Sequence, residues 1–124
     1  MFNVDHVALN VSNMKEAVEF YSMFGFVEYK SWKAEDGSVE IRRFKLNNRI
    51  LELFYDATIT EVGRPSIGYK HFAFGVSDIN QAREFMVENN VTFATEIREG
   101  RLGKPYFFII GPDNVSIEVI EEGD

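Results

Sequence analysis

The sequence predicts an α+β protein built from two tandem βαβββ modules, and three observations carry that prediction. A phrase near the start, "HVALNVSNM", recurs near the middle as "HFAFGVSDI". Both copies alternate in polarity with the period of a β-strand, and both lead directly into a segment with helical spacing of apolar residues. β-rich runs separated by turn residues fill the rest of each half. We therefore expect two copies of one folding unit.

The histidine that opens each copy shares a strand face with small residues. Ala8 and Asn10 follow His6 on the same face, and Ala73 follows His71 in the second copy. The opposite face of each strand carries larger apolar side chains, which we expect to pack beneath a helix. The sequence therefore predicts open space above each histidine.

A helix-capping signal follows each of these strands. Asn13 has Glu16 three positions later, and Asp78 has Gln81 three positions later, the spacing of a capping box. Apolar residues then recur with the helical period. The predicted buried positions are Met14, Ala17, Val18, Tyr21 and Phe24 in the first helix, and Ile79, Ala82, Phe85 and Met86 in the second.

Three further strands are expected in each half. Gly25 and Asn90, whose residue types tolerate a left-handed backbone, end the two helices. β-rich runs follow them, separated by turn signals such as "EDGS" and "GPDN". The predicted strands cover residues 26–32, 40–46 and 49–55 in the first half, and 92–97, 105–110 and 115–120 in the second.

Length and composition limit the class of protein. With 124 residues, of which 45% are hydrophobic, the chain is long enough for one domain with a substantial core. We expect a single domain over residues 1–124, made of modules at about 1–56 and 69–124 that a connector at 57–68 joins. Thirteen basic residues against twenty acidic ones argue against nucleic acid or an anionic membrane as a partner. A small-molecule substrate is the remaining expectation.

The sequence also favours a cytoplasmic protein. It has no cysteine, which excludes disulfides and thiolate metal sites and fits a reducing compartment. The first residues, "MFNVDHVALNV", lack the basic start, the apolar core and the cleavage site of a signal peptide. No apolar run reaches the length needed to span a membrane.

Two histidines and two glutamates are the candidate functional residues. His6 and His71 are the two histidines of the chain, and they occupy equivalent repeat positions. Glu52 and Glu118 interrupt the apolar runs "ILELF" and "VSIEVI", where a carboxylate that faces the interior needs a cation. A twofold arrangement of the halves brings all four residues to one point. Two imidazoles and two carboxylates suit one divalent ion of Zn, Ni, Co, Mn or Fe.

A structural explanation of the same residues is also open. Both glutamates then lie on edge strands and face water, and the equivalence of the histidines reflects duplication without a shared use. The chain would then be a binding module or a degenerate enzyme. Duplication explains the equivalence, but it does not explain why costly residues stand inside apolar runs in both copies.

At these residues the sequence resembles the vicinal oxygen chelate superfamily, which includes glyoxalase I, methylmalonyl-CoA epimerase, fosfomycin-resistance proteins and extradiol dioxygenases. The resemblance runs from "DHVALNVSNMKEAVEFYSMFGF" through "KHFAFGVSDI" to "GPDNVSIEVIEE". It implies paired βαβββ modules that form a curved mixed-sheet cup around a metal, and commonly a homodimer. Carried over to this sequence, the glyoxalase-type ligands are His6, Glu52, His71 and Glu118.

The ligand set is most similar to that of glyoxalase I. Dioxygenases and fosfomycin-modifying members carry two histidines and one carboxylate, and the epimerase has glutamine at the position of Glu52. The resemblance implies a metal-dependent lyase that isomerises the hemithioacetal of an α-keto aldehyde and a thiol through an enediolate, with Glu52 or Glu118 as the catalytic base. The alternatives are a CoA-thioester epimerase, a small ring-cleaving dioxygenase, and a non-catalytic protein that binds a drug or other small molecule.

The candidate substrate-binding residues are Asn10, Arg101 and Lys104. Relatives that use glutathione carry arginine at the position of Asn10 and often asparagine at that of Asp56, so the resemblance argues against glutathione. Arg101 and Lys104, in the glycine-containing loop "EGRLGK", are candidates for holding an anionic substrate. Of the adjacent pair Arg42–Arg43, one side chain points away from any site on a sheet face.

Overall fold

The computed structural model describes residues 4–60, 70–101 and 103–122. The chain divides into two compact units, Met1–Val62 and Gly63–Asp124. The division falls inside the connector predicted at 57–68, of which residues 61–68 lie outside the described residues. The assignment of residues 1–124 to a single domain stays a prediction.

The first unit has the predicted βαβββ order. Its elements are β1 (Val7–Asn10), α1 (Met14–Ser22), β2 (Val27–Lys33), β3 (Val39–Leu46) and β4 (Arg49–Asp56). They form a four-stranded sheet in the order β1-β4-β3-β2. β1 runs parallel to β4, and the other neighbours are antiparallel. The three strands after the helix begin and end within one residue of the predicted positions.

The second unit repeats this order with one interruption. Its elements are β5 (Phe72–Val76), α2 (Ile79–Glu88), β6 (Thr92–Phe93), β7 (Arg98–Glu99), β8 (Pro105–Gly111), a short 3-10 helix (Pro112–Asn114) and β9 (Val115–Glu121). The sheet order is β5-β9-β8-β6, and β7 also pairs with β8. β5 runs parallel to β9, as β1 does to β4.

The single strand predicted over residues 92–97 is wrong. Within this range the structure has only the two-residue strand β6, and β7 begins just after it, at Arg98. The backbone N–H groups of Ala94 and Thr95 both donate to the carbonyl oxygen of Phe108, at 2.8 and 3.3 Å. The N–H of Phe108 in turn donates to the Thr95 hydroxyl at 3.0 Å. A side-chain oxygen therefore replaces a backbone acceptor, and regular pairing stops.

Both helices begin at the predicted caps. Asn13 Oδ1 accepts a hydrogen bond from the N–H of Glu16 at 3.0 Å, and Asp78 Oδ1 accepts one from the N–H of Gln81 at 3.1 Å. These bonds satisfy backbone donors that a helix start leaves unpaired. The predicted left-handed residues after the helices are Gly25, with φ of 104°, and Asn90, with φ of 57°.

The core of each unit lies between its helix and one face of its sheet. The helices contribute Met14, Ala17 and Tyr21 in the first unit and Ile79 and Met86 in the second. The fully buried sheet residues are Phe44 and Leu53, and Phe107, Ile109, Ile117 and Val119. The prediction that Phe85 is buried is wrong, since 37% of it is exposed. It lies about 100° around the helix from Met86, on the flank of a narrow apolar face.

Within the described part of the chain, neither α1, with nine residues, nor α2, with ten, approaches the length and apolarity that crossing a membrane requires. Their buried faces are those that pack on the sheets.

Candidate metal centre

Strand register in the first unit places Glu52 on the sheet face opposite the core. The residues on either side of it are buried, so the alternation of a strand directs Glu52 to the other face. Its Cα partners are Ala8 on β1 and Arg43 on β3. His6 precedes Ala8 by two residues and shares its face. The predicted pair of His6 and Glu52 therefore lies together on one surface.

The His6 imidazole lies between two carboxylates. Its Nε2 lies 3.9 Å from Glu52 Oε2, and its Nδ1 lies 2.8 Å from Asp5 Oδ2. We assign the proton to Nδ1, because the Asp5 carboxylate can only accept a hydrogen bond, and this tautomer leaves the Nε2 lone pair free. The hydrogen bond with His6 is the largest cause of the lowered pKa of Asp5.

A guanidinium completes the cluster of the first unit. Arg43 Nε donates to Glu52 Oε2 at 2.8 Å, and Arg43 Nη1 lies 3.7 Å from Asp5 Oδ2. Arg43 Nη2 also lies 3.4 Å from His6 Nδ1, but that nitrogen cannot accept while it donates to Asp5 at the shorter distance. The hydrogen bond to Glu52 raises the pKa of Arg43. Glu52 thus has a cation partner within the protein.

Reasoning from the sequence missed Arg43 as this partner, although a signal was present. The two-residue turn at Asn47 pairs position 46 with position 49 across the hairpin. Counting outward from that turn places Arg43 opposite Glu52. Arg42 lies on the other face of β3, where it pairs with Glu40 at 2.8 Å. As predicted for adjacent strand residues, one of the two arginines therefore points away from the site.

The second unit presents the same row of residues without the arginine. Glu118 has Ala73 and Phe108 as its Cα partners. His71 Nε2 lies 3.3 Å from Glu118 Oε1, and the Phe108 ring stands edge-on to the imidazole with centroids 5.0 Å apart. In the part of the chain that the structure describes, no Lys or Arg forms an ion pair with Glu118. The two units thus hold their histidine and glutamate at equivalent register positions and differ in charge.

The donor sets fit a divalent first-row ion. Each unit offers one imidazole nitrogen and one carboxylate oxygen, and the Asp5 contact to His6 is the kind that orients metal-bound histidines. Two ligands about 2.1 Å from a common ion lie about 3.0–3.4 Å apart. The pair in the second unit, at 3.3 Å, meets this separation, and the pair in the first, at 3.9 Å, is wider.

Each unit alone supplies fewer ligands than a complete metal site. Among residues 4–60, 70–101 and 103–122, no group of three or more histidine, aspartate or glutamate side chains is gathered closely enough to hold an ion. The four-residue set of His6, Glu52, His71 and Glu118 therefore stays a prediction. The structure shows one histidine–glutamate pair within each unit.

The two positions that argue against glutathione lie at strand ends in the first unit. Asn10 is the last residue of β1 and is exposed on the face that carries Glu52. Asp56 ends β4, where its Oδ1 accepts hydrogen bonds from the N–H and the hydroxyl of Thr58 at 2.9 and 2.7 Å. These bonds lower the pKa of Asp56. Asp56 therefore stabilises the turn that follows its strand.

The candidate basic residues Arg101 and Lys104 lie in the hairpin between β7 and β8. The N–H of Gly100 donates to the carbonyl oxygen of Lys104 at 2.9 Å, which closes the turn. Neither basic side chain forms an ion pair with any residue that the structure describes. Their role in substrate binding stays a prediction.

Two βαβββ units, each with one histidine and one glutamate opposite its core, define a protein of the vicinal oxygen chelate class. The family model described as Glyoxalase/Bleomycin resistance protein/Dioxygenase superfamily matches residues 3–119. The chain belongs to this superfamily. The predicted α+β fold class is thereby confirmed.

Relatives of known sequence and structure agree with this assignment. The chain is 23% identical over 148 residues to the lactoylglutathione lyase of Schizosaccharomyces pombe. The alignment covers 99% of this chain and 48% of that protein. The chain thus spans about half the length of that relative. A glyoxalase family protein from Enterococcus faecalis is 25% identical with a TM-score of 0.87, over 96% of this chain and 97% of that one. The trypanothione-dependent glyoxalase I of Leishmania major, at 21% identity, has a TM-score of 0.77 over 98% and 88% of the two chains and shares the fold.

Proposed function

We propose that this protein is a divalent-metal-dependent isomerase of the glyoxalase I type, in the class of carbon–sulfur lyases. Its substrate is the hemithioacetal that an α-keto aldehyde such as methylglyoxal forms with a thiol. One observation carries the proposal: a histidine and a glutamate contact each other at equivalent positions of both units. The similarity to a lactoylglutathione lyase over 99% of the chain supports the reaction type.

The proposed ligands are His6, Glu52, His71 and Glu118, with Zn, Ni, Co, Mn or Fe as the ion. The proposal requires the two pairs to serve one ion, within one chain or between two chains of a homodimer. When bound, the ion supplies Lewis-acid polarisation of the substrate oxygens. The chain's own residues hold these ligands in place and move the proton.

Glu118 is the better candidate for the catalytic base. Arg43 is the register partner of Glu52, so a guanidinium stays beside that carboxylate whether or not it holds Oε2, and a neighbouring cation disfavours the protonated form that a general base must pass through. Glu118 contacts only an imidazole among the ionisable groups that the structure describes around it. Its carboxylate takes the proton from the hydroxyl-bearing carbon of the hemithioacetal and returns it to the neighbouring carbon. The enediolate is the intermediate, and an α-hydroxy thioester is the product.

A non-catalytic small-molecule-binding protein is the second candidate function. The observation that favours it is the same Arg43, because a guanidinium already neutralises Glu52 without any metal. A chain of this kind takes up its ligand on the open sheet face and binds no ion. The two candidates therefore differ first in metal content.

Elemental analysis of protein purified without chelator, followed by an assay with hemithioacetals of several thiols, tests the proposal. We expect about one ion per pair of units and turnover with at least one thiol. Glu118→Gln should lower kcat by about 100-fold or more, as loss of a general base does. Glu52→Gln should lower it less. Glu88→Gln, at an exposed position near the end of α2, is the matched control.

Two results contradict the proposal in different ways. Protein that takes up none of the five ions when they are supplied is a binding protein. Protein that binds an ion but converts no hemithioacetal is an enzyme of another type or an inactive one.

A further inference from the structure

We propose that Arg43 is an internal competitor for the metal ion, whose guanidinium holds Glu52 Oε2 away from His6 in the metal-free protein, so that an ion binds the pair only against this hydrogen bond. This inference rests on the ligand set of the proposed function. It assigns to Arg43 a positioning role that sets metal affinity. Arg43 itself binds neither the ion nor the substrate in this account.

Arg43 and His6 approach the same atom. Glu52 Oε2 accepts Nε–H of Arg43 at 2.8 Å, and it is also the carboxylate oxygen that lies 3.9 Å from His6 Nε2. An ion held between His6 and Glu52 needs these two atoms about 3.0–3.4 Å apart. The pair is therefore too wide by at least about 0.5 Å while the guanidinium occupies the oxygen.

The charge of Arg43 makes this competition persistent. A guanidinium stays protonated at every pH at which the protein is folded, so Arg43 cannot yield to a metal by losing its proton. The Glu52 side chain is only 14% exposed, and solvent screens a second cation beside it poorly. Closing the His6–Glu52 pair around an ion therefore works against the hydrogen bond that Arg43 donates to Glu52 Oε2.

Other acceptors are available to the displaced guanidinium. Asp5 Oδ2 already lies 3.7 Å from Arg43 Nη1, and this carboxylate can accept from the guanidinium as well as from His6 Nδ1. A hydrogen bond with the Tyr29 side chain also raises the pKa of Arg43, second to the bond with Glu52. Arg43 therefore keeps hydrogen-bond partners after it leaves Glu52, and its positive charge is not left without a partner.

The second unit serves as the internal comparison. Phe108 stands opposite Glu118 at the register position that Arg43 holds opposite Glu52. Without a guanidinium there, His71 and Glu118 lie 3.3 Å apart, within the range that a shared ion needs. Among the residues that the structure describes, the competitor is thus confined to one of the two pairs.

Metal affinity of Arg43→Met tests this inference, with Arg42→Met as the matched control. Both substitutions remove one arginine from β3, but Arg42 lies on the opposite face and pairs with Glu40 and Glu28. Zn²⁺ and Ni²⁺ are titrated into metal-free protein against a chromophoric chelator. We expect the Kd of Arg43→Met to fall about tenfold or more, because a like charge beside the ion is removed. The Kd of Arg42→Met should stay within about twofold of the parent value.

A second variant and a second measurement distinguish a change in metal affinity from a folding defect. Arg43→Lys keeps the charge but loses the planar fork, and its Kd should lie between those of the parent and Arg43→Met. The thermal midpoint of metal-free Arg43→Met should fall below that of the parent, while added Zn²⁺ should raise it by a larger amount.

Each outcome separates the inference from the proposed function. An Arg43→Met protein that binds Zn²⁺ no more tightly than the parent overturns the inference and leaves the isomerase proposal standing. Tighter Zn²⁺ binding by Arg43→Met without turnover of any hemithioacetal supports the inference and overturns the isomerase proposal. If neither protein binds an ion, both are overturned.

Discussion

Leu53→Ala tests the strand register that presents Glu52 to the candidate site. Leu53 is fully buried on β4, and its neighbour Glu52 points to the opposite face. The substitution removes three buried carbons, worth about 2.4 kcal/mol at about 0.8 kcal/mol each. The cavity that remains because the surroundings collapse only partly adds to this cost, so we expect the free energy of unfolding to fall by about 3–4 kcal/mol. Urea denaturation followed by far-UV circular dichroism measures the change.

Val27→Ala, on β2 of the same sheet, is the matched control. Val27 is 67% exposed, and its truncation should change the free energy of unfolding by less than about 0.5 kcal/mol. A one-residue slip of β4 exchanges the two faces, which buries Glu52 and exposes Leu53. If Leu53→Ala costs no more than Val27→Ala, the register is wrong, and with it the pairing of Glu52 with Arg43.

Two further predictions concern carboxylates of the first unit. Asp5→Asn should weaken metal binding about 10–100-fold, as loss of the group that orients a ligating imidazole does, and titration with Zn²⁺ measures it. The pKa values of Asp36 and Asp56 are lowered from 3.8 by hydrogen bonds from Ser38 and Thr58. A carboxyl group whose pKa is lower in the folded state stabilises the fold at pH values above its unfolded-state pKa. That stabilisation is lost as the pH falls through the folded-state pKa. The free energy of unfolding from urea titrations should therefore decline below about pH 4, and less steeply when both hydroxyl residues are replaced by alanine; an unchanged slope would contradict this account.

Several features of the fold follow from local chemistry and were therefore predictable. The caps at Asn13 and Asp78 and the left-handed turn at Asn90 depend on side chains within a few residues of the atoms they satisfy. The alternation that places His6 and Glu52 on the faces opposite the cores is likewise a property of each strand alone.

Errors in the prediction arose where a distant partner decides the outcome. The strand expected over 92–97 is interrupted because Thr95 exchanges hydrogen bonds with Phe108, thirteen residues away. Phe85 is exposed because the sheet covers only a narrow stripe of α2, whose width the helical period does not reveal.

The sequence by itself determined the repeat, the two histidine–glutamate pairs and the family, because each depends on residue type and spacing along the chain. Tertiary structure alone decided what stands beside each pair. Strand pairing places Arg43 against Glu52 in one unit and Phe108 beside His71 in the other. The sequence repeat is symmetric, and the electrostatics are not, because the partner of a partly buried carboxylate is set by the neighbouring strand in the sheet.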